Sequence, residues 1–237
     1  VQRAKFLQGM VQAAVKRDRF RIGDETLEYS RAQLEAASQC SDIRELATAR
    51  FTLAFVLVMR GFDEEAEPLF VAAINDARRM DDALLRTRFE SYHAILLRRL
   101  GRLVEARKAA ESLLAYAEER TMLDYVGVAH ANLSWCAWRT DRHTDALSHA
   151  NEALAAWDKL RPGYVYPLQW LARMPLAACL QAASRTDEAV EHWGLMLQDP
   201  QQRLPDELET AIERTLALRD GPSLAGVLEA ASRHRFL

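Results

Sequence analysis

Gly61-Phe62-Asp63-Glu64-Glu65-Ala66 is a short polar turn that runs into an acid and an alanine, and the same order of residue types returns at Gly101-Arg102-Leu103-Val104-Glu105-Ala106. It returns again at Asp141-Arg142-His143-Thr144-Asp145-Ala146 and at Ser184-Arg185-Thr186-Asp187-Glu188-Ala189. The four alanines are 40, 40 and 43 residues apart. A period of this length marks a repeat architecture, in which each repeat is one supersecondary unit that cannot bury its apolar face alone. A small residue precedes each alanine by twelve positions: Ala54, Ala94, Ser134 and Ala177. One period earlier, Ala14 and Thr26 are again small and again twelve apart. Small residues at a constant spacing are needed where two helices cross closely, because a longer side chain would push their axes apart.

Both sides of each turn read as helix. Leu46, Ala49, Leu53, Ala54 and Leu57 recur at helical spacing, and Ala66, Phe70, Ala73 and Ala77 follow on the next segment. Gly61 and Gly101 are placed to end one helix and Asp63 to begin the next. Connections this short make the two helices antiparallel. Composition agrees: 49% of the 237 residues are hydrophobic, while only nine are Gly and seven Pro.

These residues resemble the tetratricopeptide-type repeat, in the longer form of roughly 40 residues found in bacterial regulators. The twelve-residue spacing, the Gly-x-x-x-Glu/Asp-Ala turn, and the aromatic or small residue four places on (Phe70, Ala110, Ala150, Trp193) carry the resemblance. Two features depart from it. Arg50, Glu90, His130 and Arg173 stand where that family has a large aromatic, and the proline near the end of each repeat is missing. The resemblance implies an all-α fold, a right-handed α-solenoid of antiparallel helix pairs.

The period divides the chain into repeats at about 1–40, 41–80, 81–120, 121–163 and 164–205, with a capping pair over 206–237, as one helical-repeat domain over 1–237. Leu160-Arg161-Pro162-Gly163-Tyr164-Val165-Tyr166-Pro167 brings in three extra residues and two prolines, so a longer loop is expected there. A second break is expected from Asp199-Pro200 to Pro205, followed by a last pair over Asp206–Arg219 and Ser223–His234.

Several function classes have no support in the sequence. A net charge of −3 gives no reason to expect a nucleic acid or an acidic membrane as partner. No apolar stretch has the length of a membrane helix. No Walker-type loop, nucleophile elbow or H-E-x-x-H helix occurs, so no enzyme is expected and no cofactor is implied. Cys40, Cys136 and Cys179 are few and scattered, which suits free thiols in a reducing cytoplasm rather than disulfides or zinc. His143 and His149 are six apart on a helix and do not share a face, so no metal site is expected. His93 lies on an apolar stripe as a core residue.

In arrays of this kind the first helices of successive repeats line a concave surface. Opposite their packing stripe these helices carry Phe51, Phe55 and Met59, then Tyr92, Arg98 and Arg99, then Asn132, Trp135, Trp138 and Arg139. Trp135 and Trp138 are three apart and are expected on one side of their helix. Aromatic anchors beside arginines are typical of binding hot spots. The leading expectation is a protein- or peptide-binding scaffold for an acidic, apolar segment. The resemblance extends this to the sensor or assembly region of a bacterial regulator, as in the C-terminal regions of ATP-dependent transcription activators resembling the maltose regulator, or to bacterial signalling proteins. A start at Val1 rather than Met suits a piece of such a protein. Two alternatives are a metabolite-sensing domain that holds a small-molecule effector near Trp135 and Trp138, and a homo-oligomer formed through exposed apolar surface.

Overall fold

The computed structural model describes residues 1–160 and 165–237, and among these residues it contains twelve helices and no strand. They are α1 (Gln2–Arg17), α2 (Asp24–Ser38), α3 (Ile43–Met59), α4 (Asp63–Arg79), α5 (Ala83–Arg99) and α6 (Leu103–Glu119). They continue with α7 (Leu123–Trp138), α8 (His143–Leu160), α9 (Trp170–Ala182), α10 (Thr186–Leu195), α11 (Asp206–Leu218) and α12 (Gly221–Arg233). The described residues gather into two bodies, Val1–Leu96 and Leu97–Leu237, with the division inside α5. Half of the loop expected over Leu160–Pro167, residues 161–164, lies outside the described residues.

One device makes most of the turns. Gly61 (φ 82°) takes the left-handed conformation, its N–H bonds Val58 O at 3.0 Å, and the Phe62 N–H reaches Leu57 O at 2.9 Å. This paired bond satisfies carbonyls that the end of α3 would otherwise leave without donors. Gly101, Asp141 and Ser184 repeat it after α5, α7 and α9, and Asp81 and Thr121 after α4 and α6. Gly61 and Gly101, read as helix stops, are therefore left-handed residues, and Asp141 and Ser184 take the same conformation at the equivalent positions. Asp63 opens α4 as its first residue, while Phe62 occupies the cap position and makes no side-chain bond there.

The small residues twelve apart lie where the helices cross. Ala54, Ala94, Ser134 and Ala177, and their partners Ala66, Ala106, Ala146 and Ala189, are all fully buried. Ser134 shows the closeness directly: its hydroxyl donates to Ala146 O on the facing helix at 2.7 Å. In the N-terminal body α1 packs on α2, α2 on α3, α3 on α4, and α1 also touches α3. In the C-terminal body α7 packs on α6, α8 and α9, α8 on α9, α9 on α10, α10 on α11 and α11 on α12. First helices thus lie beside first helices, as stacked pairs require.

That stacking buries long stretches of α3 and α7 on every side. Phe51 to Val58 are consecutively buried on α3, and on α7 only His130 interrupts the buried run from Gly127 to Ala137. A helix apolar all round belongs in a core. Gly127 has its own steric reason: a Cβ there would lie 2.2 Å from Trp157 Nε1. The Trp157 ring has no room to retreat, because its N–H donates to Asp124 O at 3.0 Å and Tyr166 stacks on it at 4.6 Å.

Gly127→Ala is expected to lower unfolding stability by about 1–3 kcal/mol through overpacking. Gly226→Ala, in α12 with nothing within 4 Å of the added carbon, should instead raise it by about 0.5–1 kcal/mol by removing a helix glycine. Urea unfolding of the two variants checks both signs.

Candidate functional site

The N-terminal body contains a cavity of about 340 Å³ lined by residues of α1, α3 and α5. Its floor is aromatic. Phe55 and Tyr92 meet edge to face at 5.3 Å, Phe51 meets Tyr92 at 5.4 Å, and Phe20 closes on Phe55 at 6.1 Å. Val11 and Val15 of α1 add aliphatic wall. Helix register explains the grouping, since Phe51 and Phe55, Arg88 and Tyr92, and Val11 and Val15 are pairs four apart that share a face. The rim is cationic: Lys16 is exposed, and the Arg88 guanidinium lies 4.8 Å over the Phe51 ring. Among the described residues neither forms an ion pair. An apolar floor with unpaired positive charge at its mouth favours an apolar or aromatic group that carries a carboxylate.

In the C-terminal body, Arg98 at the end of α5 is buried. Its guanidinium donates to Leu171 O at 2.9 Å and to Phe236 O at 2.6 Å, and it lies over the rings of Trp135 and Trp170. Burial pushes it down to about 9. The Arg139 guanidinium also lies over the Trp135 ring, at 5.4 Å.

The positions that depart from the family pattern form a third feature. Arg50 pairs with Asp76, Glu90 accepts from Arg78 at 2.7 Å, His130 meets His149 through their Nδ1 atoms at 3.0 Å, and Arg173 meets His192 at 2.9 Å. Where an aromatic would pack, a polar side chain ties one helix to its neighbour. Burial, and then the neighbouring imidazole, lowers the His130 pKa; burial lowers that of His149, and burial followed by Arg173 lowers that of His192. Cys40, Cys136 and Cys179 are free thiols, and burial raises Cys136 and Cys179 to about 11, which keeps both protonated and unreactive. Among the described residues no three His, Cys, Asp or Glu side chains converge as metal ligands, and no helix is long and apolar enough to cross a membrane.

Of the residues expected in an open groove, Phe51, Phe55 and Tyr92 line the N-terminal cavity. Asn132 (0% exposed), Trp135 (1%) and Arg98 (2%) lie in the interior instead. The expectation gave each first helix one packed and one open face, but α7 is packed on both. Asn132 bonds Val128 O within its own helix. Trp138 does not pair with Trp135 on one open side; it packs against Ala137, Ala146 and Cys179. Met59 and Arg99 are half-buried and Arg139 is exposed. Sequence reading missed Arg88, although its spacing of four from Tyr92 was a usable signal. It also missed Trp170, whose column is small in the earlier repeats, Phe236, which lies beyond the last repeat, and the His130–His149 pair, whose members belong to different columns.

No protein-family model matches this sequence, and no curated protein matches it. Solved structures do. Over 100% of this chain the fold is similar to a Rap protein complexed with competence and sporulation factor, with 15% identity and a TM-score of 0.74. The chain spans 66% of that protein's length. It is also similar to BtubC (BKLC) from P. vanneervenii, with 17% identity, a TM-score of 0.60, and coverage of 84% of this chain and 83% of that one. A putative kinesin light chain from Podosopora anserina with nearly identical TPR-like repeats matches at 14% identity and a TM-score of 0.53, over 81% of this chain and 90% of that one. At such identities the likeness establishes the fold, an all-α, tetratricopeptide-like α-solenoid of helix pairs.

The histidine pair makes a pH prediction. Two imidazoles joined through their Nδ1 atoms cannot both be protonated without setting two N–H donors head to head. The folded state therefore takes up fewer protons than the unfolded chain below the ordinary histidine value of about 6.5. Stability is expected to be level above that pH and to fall below it. In melting curves taken from pH 7.5 to 5, the fall should be shallower for His130→Gln; parallel profiles would contradict the assignment.

Proposed function

We propose that the chain is a peptide- or protein-binding repeat scaffold without catalytic activity of its own, serving as the sensor or assembly region of a bacterial regulatory protein. The observation that carries this reading is the aromatic cavity of the N-terminal body with Lys16 and Arg88 unpaired at its rim. Burying one Phe- or Leu-sized side chain there contributes about 1.5–3 kcal/mol, and a charge-assisted bond to Arg88 about 1.5–3 kcal/mol more. One such anchor pair gives binding only in the millimolar range or slightly tighter, so the guest must run further along the helices. An extended acidic segment with apolar anchors meets that need better than a compact solute. The occurrence of the same fold in a Rap protein complexed with competence and sporulation factor, and in kinesin light chain repeats, supports an interaction role. The regulator context rests on the sequence resemblance.

A second reading has one observation in its favour. At about 340 Å³ the cavity falls within the range of about 300–1,000 Å³ typical of small-molecule sites. An aromatic carboxylate would satisfy both floor and rim. A panel of such acids that raised the melting temperature in a dose-dependent way would favour it.

Selection from a displayed peptide library is expected to enrich sequences that place an aromatic residue beside Asp or Glu. Lys16→Glu combined with Arg88→Glu should weaken the enriched peptides about tenfold or more while leaving helicity intact, given the usual worth of charge-assisted bonds. Unchanged affinity in a folded double variant would reject the cavity as the reader.

A further inference from the structure

Residues Arg235, Phe236 and Leu237 leave α12 through a left-handed turn at Arg235 (φ 60°) and fold back into the C-terminal body. The Phe236 ring meets Trp170 edge-on at 4.5 Å, and its carbonyl accepts from Arg98 Nη2 at 2.6 Å. Phe236 and Leu237 are 5% and 6% exposed. The segment thus fills a recess whose other members are Arg98, Trp135 and Trp170.

What the recess holds does not match what it offers. Arg98 Nε and Trp135 Nε1 are both buried with no acceptor. Among the described residues no carboxylate pairs with Arg98, whose partners are two neutral carbonyls. A buried guanidinium held that way keeps an uncompensated charge, which is costly. The group that answers a guanidinium fork is a carboxylate, through parallel charge-assisted bonds. Phe236 supplies a ring to Trp170 but only a carbonyl to Arg98.

We propose that the Arg98–Trp135–Trp170 recess is a second peptide-recognition site, for a partner segment that presents an aromatic ring beside an acidic side chain. Residues 235–237 act as an internal plug that such a segment displaces. The inference rests on the peptide-binding reading above but on different residues, so the two can fail separately.

The test uses the full chain carrying Lys16→Glu and Arg88→Glu, so that binding at the N-terminal cavity does not contribute. The probe is a fluorescein-labelled peptide with glutamate, phenylalanine and leucine in succession, followed by fluorescence anisotropy. Adding Phe236→Ala is expected to tighten binding about tenfold or more, because the plug no longer competes. Adding Arg98→Met to that variant should remove the gain. Equal affinity with and without Phe236→Ala, no binding in either, or a gain that survives Arg98→Met would each overturn the inference. Binding by the unaltered chain that is lost in every variant carrying the cavity substitutions would overturn this inference and leave the earlier reading standing. If Phe236→Ala proves unfolded by circular dichroism, hydrogen exchange on the unaltered chain decides the matter. Saturating peptide should speed exchange at Phe236 N–H, now bonded to Ala231 O at 2.8 Å, and unchanged or slower exchange would overturn it.

Discussion

Two helices approach closely only where each presents a side chain no longer than a methyl or a hydroxymethyl, and here that requirement recurs twelve residues apart across the turns that join α3 to α4, α5 to α6, α7 to α8 and α9 to α10. The Ser134 hydroxyl reaching the Ala146 carbonyl at 2.7 Å measures how near the backbones come. From this constraint the rest follows. Close pairs allow the first helices of successive repeats to touch, as α1 does α3 and α7 does α9. Where a first helix is so enclosed, as α3 and α7 are, it is apolar on nearly every face, and α3 supplies Phe51 and Phe55 to the floor of the N-terminal cavity. The turns keep to the same register, because a left-handed residue ends α3, α4, α5, α6, α7 and α9 with paired bonds.

The polar row at Arg50, Glu90, His130 and Arg173 works differently. Each member is buried or half-buried and meets a polar group on an adjacent helix: Asp76, Arg78, His149 and His192. Half-buried polar pairs add little net stability, since desolvation offsets most of their attraction. What they penalise is misalignment, because a slipped pair would leave buried charge or an unpaired imidazole. The small residues set how close the helices come, and the polar row sets their register.

This division explains what the sequence made legible. Period, turn positions and small-residue columns are local and repeated, so helix pairs and their junctions could be read directly. Exposure could not. Phe51-Thr52-Leu53-Ala54-Phe55-Val56-Leu57-Val58 is apolar at every position, and such a run carries no mark of which face meets a neighbour and which lines a cavity. Hence Phe51 and Phe55 fall at the cavity, while Trp135 and Arg98, assigned by the same reasoning, fall inside. Trp170 stands where the earlier repeats have Ala47, Thr87 and Gly127, so its column carried no aromatic signal, and Phe236 lies beyond the last repeat. The His130–His149 contact joins residues nineteen apart on two helices, and Arg173–His192 repeats that spacing in the next pair, but the period alone does not say that the two columns touch.

The most direct test of the close-crossing account is the unfolding free energy of Ala66→Leu compared with that of Ala115→Leu. Ala66 is fully buried, whereas Ala115 is exposed on the outer face of α6. The account predicts a loss of about 2 kcal/mol or more at Ala66, because the added atoms force two helices apart, and a change within about 0.5 kcal/mol at Ala115. Two changes of equal, small size would contradict it, since the helices would then have room that a close crossing does not allow.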